Sequence, residues 1–542
     1  MGGLVLEGGL AAHTEQVKHE LEMLAWPGRD WVLPRPAEGA ASGMFDVVIV
    51  GAGQCGLAVA FGLMREKVTN VVCLDENEPG KEGPWATYAR MVTLRTAKHL
   101  TGLDYGMPSL TFQAYYEARF GREAWAGLDK IPKELWMGYL VWYRHTLGIP
   151  VQNGIRVQLI EPLDPASATA GFRITVRRSC GKSEALLARK VVLATGIQGG
   201  GEWHVPAFIK ESVPRSLYAH TSEAIDFGSL KGKRVAILGG GASAFDNAQH
   251  ALGLGAGEVH VFVRRAELPR INPIRFMEQA GFMRHFSDLD DASKYAGIDY
   301  FLQFNQPPTN DTFNRASAYP NFTLHTGAAW QALEPTADGK QVRIHSAKGD
   351  EGLFDFLIVS TGLLTDARLR PELAGMAGHI ATWGDRFEAP SGQARNPLID
   401  VHPYLGPSFE FLEKAPGSTP YLSGLFAYNY SALASLGLSA SALSGSKYAL
   451  PKLVGGITRQ LFLEQAPATL AAFLAYREEE FVGAWPRTKA DTAAAAAASV
   501  ADAPADGTPT AAAGEQAALA AGPPTRVPSV EAMPSPAKRL CA

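Results

Sequence analysis

The sequence predicts an α/β fold with two Rossmann-like dinucleotide-binding domains in one chain, because one pattern occurs in it twice. Each copy is a short, apolar, β-branched run that ends in a glycine turn and continues as a small-residue helix. The copies lie at 45–64 and 233–254. Each is followed by a later apolar strand that closes with Thr-Gly, at 190–196 and 354–362. We therefore predict a degenerate internal duplication with two nucleotide sites.

The first turn has the spacing G-x-G-x-x-G. Gly51 makes the tight turn, Gly53 lets the backbone approach a pyrophosphate, and Gly56 lets the helix pack closely on the strand. The N–H groups of the first helical turn, which starts near Gln54, have no partners inside the helix and can bind phosphate. The next strand ends in Asp75, where an acid accepts hydrogen bonds from a ribose. A purely structural glycine turn is the alternative.

The second turn differs from the first at the third glycine and at the end of the next strand. Its key positions are Gly239, Gly241, Ser243 and Ala244. Where the first unit has an acid, the second has Arg264 and Arg265. Two guanidinium groups suit a 2′-phosphate, which an acid would repel, so we predict NADPH rather than NADH. The alternative is a basic strand end at the protein surface.

Composition limits the other classes of function. The 542 residues are 46% hydrophobic and 19% charged, which is enough for two or more domains. A net charge of -4 gives no general reason to bind nucleic acid or an anionic membrane, and no apolar stretch approaches the roughly 18 residues of a membrane span. Four scattered cysteines form no C-x-x-C pair and no metal-ligand spacing. We expect a cytoplasmic protein without a metal, and a homo-oligomer is compatible with the sequence.

Two segments outside the turns are candidates for the reactive centre. The segment 76–101 passes the carboxyl ends of the strands, so Arg95 and its basic neighbours can reach a flavin or a substrate. Solvated surface charges are the alternative. The segment 429–442, which starts at Asn429, reads as a loop that enters a helix through small residues. A helix N-terminus there stabilises negative charge on a reduced ring, and simple close packing is the alternative.

Two dinucleotide folds that each end in a Thr-Gly strand resemble the flavoprotein monooxygenases, which bind FAD first and NADPH second. The relatives are the flavin-containing monooxygenases, the Baeyer-Villiger monooxygenases and the lysine and ornithine N-hydroxylases, and the resemblance covers roughly residues 40–480. Gly83-Pro-Trp85 looks like the Gly-Gly-x-Trp segment beside the flavin. Pro214 and Ser216 replace the Phe and Gly of the F-x-G-x-x-x-H fingerprint of the first two groups, whereas 90–112 looks more like the N-hydroxylases. The subclass stays open.

The helical spacing near the N-terminus, the Ala/Pro-rich composition of the C-terminal segment and the resemblance together predict how the chain is divided. We predict an N-terminal helix and lead-in at 1–39, the first part of an FAD-binding domain at 40–200, an NADPH-binding domain at 201–365, a return to the FAD domain at 366–486, and a disordered Ala/Pro-rich tail at 487–542. The predicted cofactor-binding residues are Gly51, Gly53, Gln54, Gly56, Asp75, Trp85, Thr195, Gly196, Gly239, Gly241, Ser243, Ala244, Arg264, Arg265, Thr361 and Gly362.

The reaction implied by the resemblance is the reduction of FAD by NADPH and the transfer of one oxygen atom from O2 to a small nucleophilic (N or S) or carbonyl substrate. The cofactor supplies the chemistry, and the protein supplies position and dryness. Arg95 and Asn429 are the predicted catalytic residues. Two alternatives remain at this point: an NADPH-dependent flavin oxidoreductase that does not oxygenate, and a nucleotide-binding redox sensor.

Overall fold

The computed structural model describes residues 8–35, 43–304, 306–390, 394–440 and 442–481, together with residues 489, 493 and 494. The chain divides into two compact units, 1–465 and 466–542. Both glycine turns lie in the first unit, and nearly all of the predicted tail lies outside the described residues. Among the helices of the described ranges, none combines the length and the apolar character that crossing a bilayer requires.

The first half of the chain forms one mixed sheet with helices around it. Its elements are α1 Gly9–Met23, β1 Met44–Val50, α2 Gln54–Arg65, β2 Val71–Leu74, α3 Phe112–Phe120, α4 Arg122–Gly127, α5 Lys133–Thr146, β3 Val151–Gln152, β4 Ile155–Pro162, β5 Phe172–Arg178 and β6 Ser183–Leu193. The strand order is β3-β2-β1-β6-β5-β4, with β1 parallel to β2 and β6. Val47, Val48 and Ile49 are fully buried in β1, as a continuous apolar run predicts.

The second half repeats this architecture around β9. Its elements are β7 Gly201–Trp203, α6 Ala207–Ser212, β8 Tyr218–His220, β9 Arg234–Leu238, α7 Ala242–Gly253, β10 Glu258–Val263, α8 Ile274–Met277, α9 Ala280–His285, α10 Asp291–Phe304, α11 Asn310–Ser317, β11 Phe322–Thr326, β12 Trp330–Pro335, β13 Val342–Ser346, β14 Gly349–Phe354, β15 Phe356–Val359 and β16 Leu363–Thr365. A parallel sheet has the order β11-β10-β9-β15-β8, and β12, β13 and β14 form a separate antiparallel sheet. The predicted α/β fold with two Rossmann-like units is confirmed.

The last part of the chain returns to the first sheet. Its elements are α12 Trp383–Arg386, α13 Pro397–Asp400, β17 Leu425–Ala427, α14 Leu433–Leu436 and α15 Leu443–Ala475. Strand β17 pairs in parallel with β6, so that Leu425 faces Val191 and Ala427 faces Leu193. The sheet that starts at β1 is therefore completed by residues that follow the entire second half.

Two features differ from the sequence prediction. The strand predicted to start at 190 starts at 183 and ends at 193, because the first part of β6 pairs antiparallel with β5 while its last part pairs in parallel with β1. The four helices α8 to α11 between β10 and β11 were not predicted. Buried side chains of α10, including Ile298 and Phe301, form an apolar cluster with Trp383 and Leu433 of the returning segment.

Candidate active site

A cavity of about 2280 Å³ borders both glycine turns. Most of the predicted site residues line it: Gly51, Gly53, Gln54, Asp75, Trp85, Arg95, Thr195, Gly196, Gly239, Gly241, Ser243, Arg264, Arg265, Thr361 and Gly362. Gly56, Ala244 and Asn429 are not among the lining residues. The fold thus brings the carboxyl ends of the central strands of both sheets to one shared space, as expected for two parallel Rossmann-like units.

The glycines of the first turn are required by close backbone contacts. Gly51 has a φ of +102°, and a Cβ there would lie 2.5 Å from the carbonyl oxygen of Ala194. A Cβ at Gly56 would lie 1.9 Å from the carbonyl oxygen of Gly51. Real Cβ atoms do not approach backbone oxygens this closely, so α2 packs against the turn only because residue 56 is glycine.

Asp75 braces the same turn. Its carboxylate accepts hydrogen bonds from the N–H of Ala52, at 2.9 Å, and from the N–H and the side-chain amide of Asn77, at 2.9 and 3.0 Å. Burial raises the pKa of this carboxyl, and the donation from Ala52 opposes the rise. Asp75 therefore ties β2 to the first turn in addition to facing the cavity.

The first turn fits a dinucleotide pyrophosphate. Helix α2 begins after Gly53 without a side-chain cap, so the N–H groups of its first turn are left to a ligand or to solvent. Gly83, which has a φ of +73°, lies beside Gly53: a Cβ on Gly83 would be 3.7 Å from the Cα of Gly53. Because both residues are glycines, neither places a side chain at this wall. Trp85 lines the cavity and has a buried indole N–H without a hydrogen-bond partner. An unsatisfied buried donor at a cavity wall is consistent with a bound polar group.

The second turn has the same construction with a basic rim. Gly239 has a φ of +141°, and a Cβ there would lie 2.3 Å from the carbonyl oxygen of Ser360. Ala244 is fully buried where the first unit has its third glycine. Arg264 and Arg265 are exposed at the end of β10 and line the cavity. This rim fits an anionic group at the ribose end of a dinucleotide.

Asn429 lies behind the cavity wall. It is 2% exposed, and its amide N–H groups donate to the Thr195 hydroxyl, at 3.0 Å, and to the Gly199 carbonyl, at 3.4 Å. Its carbonyl oxygen accepts the N–H of Ser431 at 2.9 Å. The structure thus uses this side chain to fix the returning loop against the end of β6, rather than presenting its amide to the cavity.

Arg95 lines the cavity, and its guanidinium is engaged by the second half of the chain. It forms an ion pair with Asp246 of α7, and its other terminal nitrogen donates to the side-chain oxygen of Gln306 at 3.0 Å. Burial raises the pKa of the Asp246 carboxyl, and the adjacent guanidinium opposes that rise. Arg95 was predicted from the sequence, but no sequence signal pointed to its partner Asp246, which lies in the helix that follows the second turn.

Two buried histidines of the cavity wall were not among the predicted site residues. His220 accepts the N–H of Ser222 and donates to the carbonyl of Gly362 at 3.0 Å, and burial lowers its pKa to about 4. His402 donates through Nδ1 to the carbonyl of Leu398 at 2.7 Å, and burial lowers its pKa to about 4. Both imidazoles are therefore neutral at pH 7, with the tautomer set by a backbone carbonyl.

Comparison of the sequence with known proteins identifies the family to which the chain belongs. A family model for FAD-NAD(P)-binding proteins matches residues 48–198. The FAD-dependent urate hydroxylase of Xanthomonas campestris pv. campestris is 53% identical over 478 residues, which make up 88% of this chain and 98% of that protein. The chain belongs to the FAD-dependent hydroxylases. This family is a class of flavoprotein monooxygenases, so the expected oxygenating activity and the use of FAD with a nicotinamide dinucleotide are confirmed.

Solved hydroxylases share the fold of this FAD-dependent hydroxylase. Ornithine hydroxylase from Pseudomonas aeruginosa matches with a TM-score of 0.60 at 16% identity, over 77% of this chain and 100% of that chain. L-lysine 6-monooxygenase from Pseudomonas syringae matches with a TM-score of 0.56 at 18% identity, over 77% of this chain and 99% of that chain. At these identities the matches establish a common architecture. An oxidoreductase without oxygenation and a redox sensor are not favoured.

Proposed function

We propose that this FAD-dependent hydroxylase transfers one oxygen atom from O2 to urate, with NADPH as the reductant. The observation that carries the proposal is the 53% identity to a urate hydroxylase over nearly the full length of that protein. The solved amine hydroxylases share the fold at 18% identity or less, so their substrates do not carry over to this chain.

The residues of the first turn are proposed to hold FAD, and those of the second turn to hold NADPH. When it is bound and reduced, FAD supplies the activation of O2 that no side chain can provide. The N-termini of α2 and α7 have no side-chain caps, so they offer backbone N–H groups for the two pyrophosphates. In α7 the N–H groups of Ala242 and Ala244 already donate to the carbonyls of Gln306 and Gly241 and are not among those offered. Arg264 and Arg265 support NADPH over NADH, because two exposed guanidinium groups attract the charge of a 2′-phosphate.

The substrate is proposed to lie in the part of the cavity that the helical insertion and the returning segment enclose together. Phe301, Leu302, Leu398 and Leu438 supply apolar walls there, which exclude water from the reacting atoms. Arg275 also lines the cavity, and its charged group suits a planar ligand with several carbonyl oxygens. Urate has this chemistry, since it is a flat anion at neutral pH.

The protein is further proposed to act in the cytoplasm. The support is the cysteine pattern: Cys55, Cys73, Cys180 and Cys541 form no closely spaced pair.

The thiol of Cys55 lies beside the first turn but takes no part in the reaction as a thiolate. Burial raises the pKa of this thiol to about 12, so it stays protonated at neutral pH.

The test is a turnover assay of the FAD-loaded full-length protein in which the amounts of NADPH oxidised, urate consumed and hydrogen peroxide released are compared. NADPH oxidation is followed together with urate consumption and hydrogen peroxide release, under ¹⁸O2, and the product is analysed by mass spectrometry. We expect one urate consumed per NADPH and one ¹⁸O atom in the product. Complete conversion of the NADPH electrons to peroxide with urate untouched would refute the proposal. Lysine and ornithine in place of urate provide the comparison, and we expect only peroxide with either amine.

A further inference from the structure

One ion pair connects the two halves of the chain inside the cavity. Arg95 belongs to the segment between β2 and α3. Asp246 is the fifth residue of α7, the helix that follows the second glycine turn. The side chain of Arg95 is 20% exposed and that of Asp246 is 4% exposed. A pair this well shielded from solvent holds its geometry more firmly than a surface pair.

Further hydrogen bonds make Arg95 the centre of a small network. Its guanidinium donates to the side chain of Gln306, and its backbone carbonyl accepts a hydrogen bond from Arg275 at 3.0 Å. The backbone carbonyl of Gln306 in turn accepts the N–H of Ala242, the first residue of α7, at 3.3 Å. Three segments of the second half therefore contact Arg95, two through its side chain and one through its backbone carbonyl. Asp246 belongs to α7, and Gln306 also contacts the first residue of α7.

A second ion pair between the halves serves as a comparison. Lys130, which precedes α5, contacts Asp311 of α11 at 2.7 Å, with side chains 28% and 32% exposed. Neither residue lines the cavity. Both pairs join the first half to the second, but only Arg95–Asp246 does so between the two glycine turns.

We infer that the Arg95–Asp246 ion pair is the positioning element that holds the two dinucleotide sites at a fixed separation and orientation. This inference rests on the proposed NADPH site at the second turn. The step it serves moves one hydride, two electrons with one proton, from NADPH to FAD, and FAD takes a second proton from solvent. Hydride transfer depends steeply on the approach of the two rings, because a misplacement of about 1 Å can cost about 100-fold in rate.

The pair acts through geometry rather than by binding nucleotide more tightly. Asp246 is an anion beside the second turn, so it does not attract the phosphates of a dinucleotide, and the guanidinium of Arg95 is already paired. Loss of the pair is therefore expected to slow the reduction of FAD while leaving the affinity for NADP⁺ nearly unchanged. A residue that bound the phosphates would show the opposite pattern.

The experiment compares four variants of the FAD-loaded full-length protein: Arg95→Gln, Asp246→Asn, the double variant, and the conservative Arg95→Lys. Anaerobic stopped-flow absorbance gives the rate of FAD reduction by NADPH, and a titration with NADP⁺ gives its dissociation constant. We expect each single neutralising variant to reduce FAD about 10- to 100-fold more slowly, with the dissociation constant changed less than about threefold. The double variant should be no more than about twofold slower than the slower single variant, because both changes remove the same contact. Arg95→Lys should recover part of the rate.

Two further readouts separate positioning from general damage to the fold. Protein reduced with dithionite should react with O2 at the wild-type rate within about twofold in every variant, since that step needs no second nucleotide. Hydrogen exchange of the FAD-loaded protein without NADPH should show faster exchange in α7 when only Arg95 is changed, and in the segment 90–101 when only Asp246 is changed. Lys130→Gln and Asp311→Asn are the matched controls, and they should leave the reduction rate within about twofold of the wild type.

Several results would overturn the inference. It is wrong if Asp246→Asn or Arg95→Gln reduces FAD at the wild-type rate, if the two losses multiply in the double variant, or if Lys130→Gln slows reduction as much as Arg95→Gln. A wild-type protein whose FAD is not reduced by NADPH would contradict the proposed cofactor function itself, and that result appears before any variant is compared.

Discussion

Lowering the pH from 7 to 5 should destabilise the native protein through His402. This imidazole is 3% exposed, and its Nδ1 proton is held by the carbonyl of Leu398. Burial lowers its pKa from the ordinary 6.5 to about 4. Between these two values the unfolded chain binds a proton that the folded chain does not, so the free energy of unfolding falls as the pH falls through this window.

The size of the effect follows from the two pKa values. A difference of about 2.5 pKa units corresponds to about 3.4 kcal/mol, since each unit is worth about 1.36 kcal/mol. At pH 5 the unfolded imidazole is almost fully protonated and the folded one is almost fully neutral. About 2 kcal/mol of the total is therefore lost between pH 7 and pH 5, and nearly all of the remainder is lost as the pH falls further through 4.

The assay compares His402→Asn with the wild type by urea unfolding at pH 7 and pH 5, followed by tryptophan fluorescence. Asparagine keeps an N–H near the position of Nδ1 and does not titrate. We expect the wild type to lose about 2 kcal/mol more than His402→Asn between the two pH values. The control is His379→Asn, since His379 is exposed and does not line the cavity.

The comparison between variants cancels the other titrating groups. Burial raises the pKa values of carboxyls such as Asp46 and Asp75, and a raised carboxyl pKa makes the protein more stable as the pH falls. These groups are present in both proteins, so they affect both pH dependences equally. Equal losses of stability for the wild type and His402→Asn would refute the assignment of a buried, neutral imidazole.

Three further predictions concern the cofactor sites and the core. Gly56→Ala places a Cβ 1.9 Å from the carbonyl oxygen of Gly51, so the purified protein should retain little FAD, measured as the flavin-to-protein absorbance ratio. Replacing Arg264 and Arg265 together by Gln should lower kcat/KM for NADPH by about 10- to 100-fold and leave that for NADH nearly unchanged, measured by initial rates. Glu464→Gln should cost about 3–5 kcal/mol in urea unfolding, because this 4% exposed carboxylate neutralises two buried cations.

Each of these predictions has a matched control. Gly455→Ala adds a Cβ that meets nothing within 4 Å, so the FAD content should stay at the wild-type level. Arg270→Gln removes an exposed arginine that does not line the cavity, and the preference for NADPH should persist. Glu161→Gln removes an exposed carboxylate and should change stability by less than about 0.5 kcal/mol. A control that behaves like its test variant would contradict the corresponding prediction.

Local patterns predicted the two strand-turn-helix units well. The close packing at Gly56 follows from a contact with Gly51, five positions earlier, and the positive φ of Gly51 is a local backbone conformation that glycine permits. Gly196 and Gly362, with φ values of +71° and +85°, likewise sit at strand ends where the sequence pattern placed them. Features of this kind are visible in a sequence because their physical cause lies within a few residues.

Features that depend on distant segments were beyond the reach of such patterns. Arg95 was recognisable as a basic residue near the reactive centre, but the Asp246 that pairs with it lies in the other half of the chain. Asn429 was predicted as a catalytic residue, and its side-chain partners Thr195 and Gly199 follow β6, 230 or more positions earlier in the sequence. The division of roles between contacting a ligand and bracing a loop is set by tertiary packing, which one sequence does not display.

The pairing of β17 with β6 determines when the first sheet can be completed during synthesis of the chain. Residues 191–193 of β6 extend past the end of β5, and β17 covers the edge that β5 leaves open. A nascent chain or fragment that stops near residue 200 therefore exposes an unpaired, apolar strand edge, which is prone to wrong pairing. The segment 48–198, which carries the family match, lacks the strand that pairs with residues 191–193. We expect the first sheet to be completed only after residues 425–427 have been synthesised.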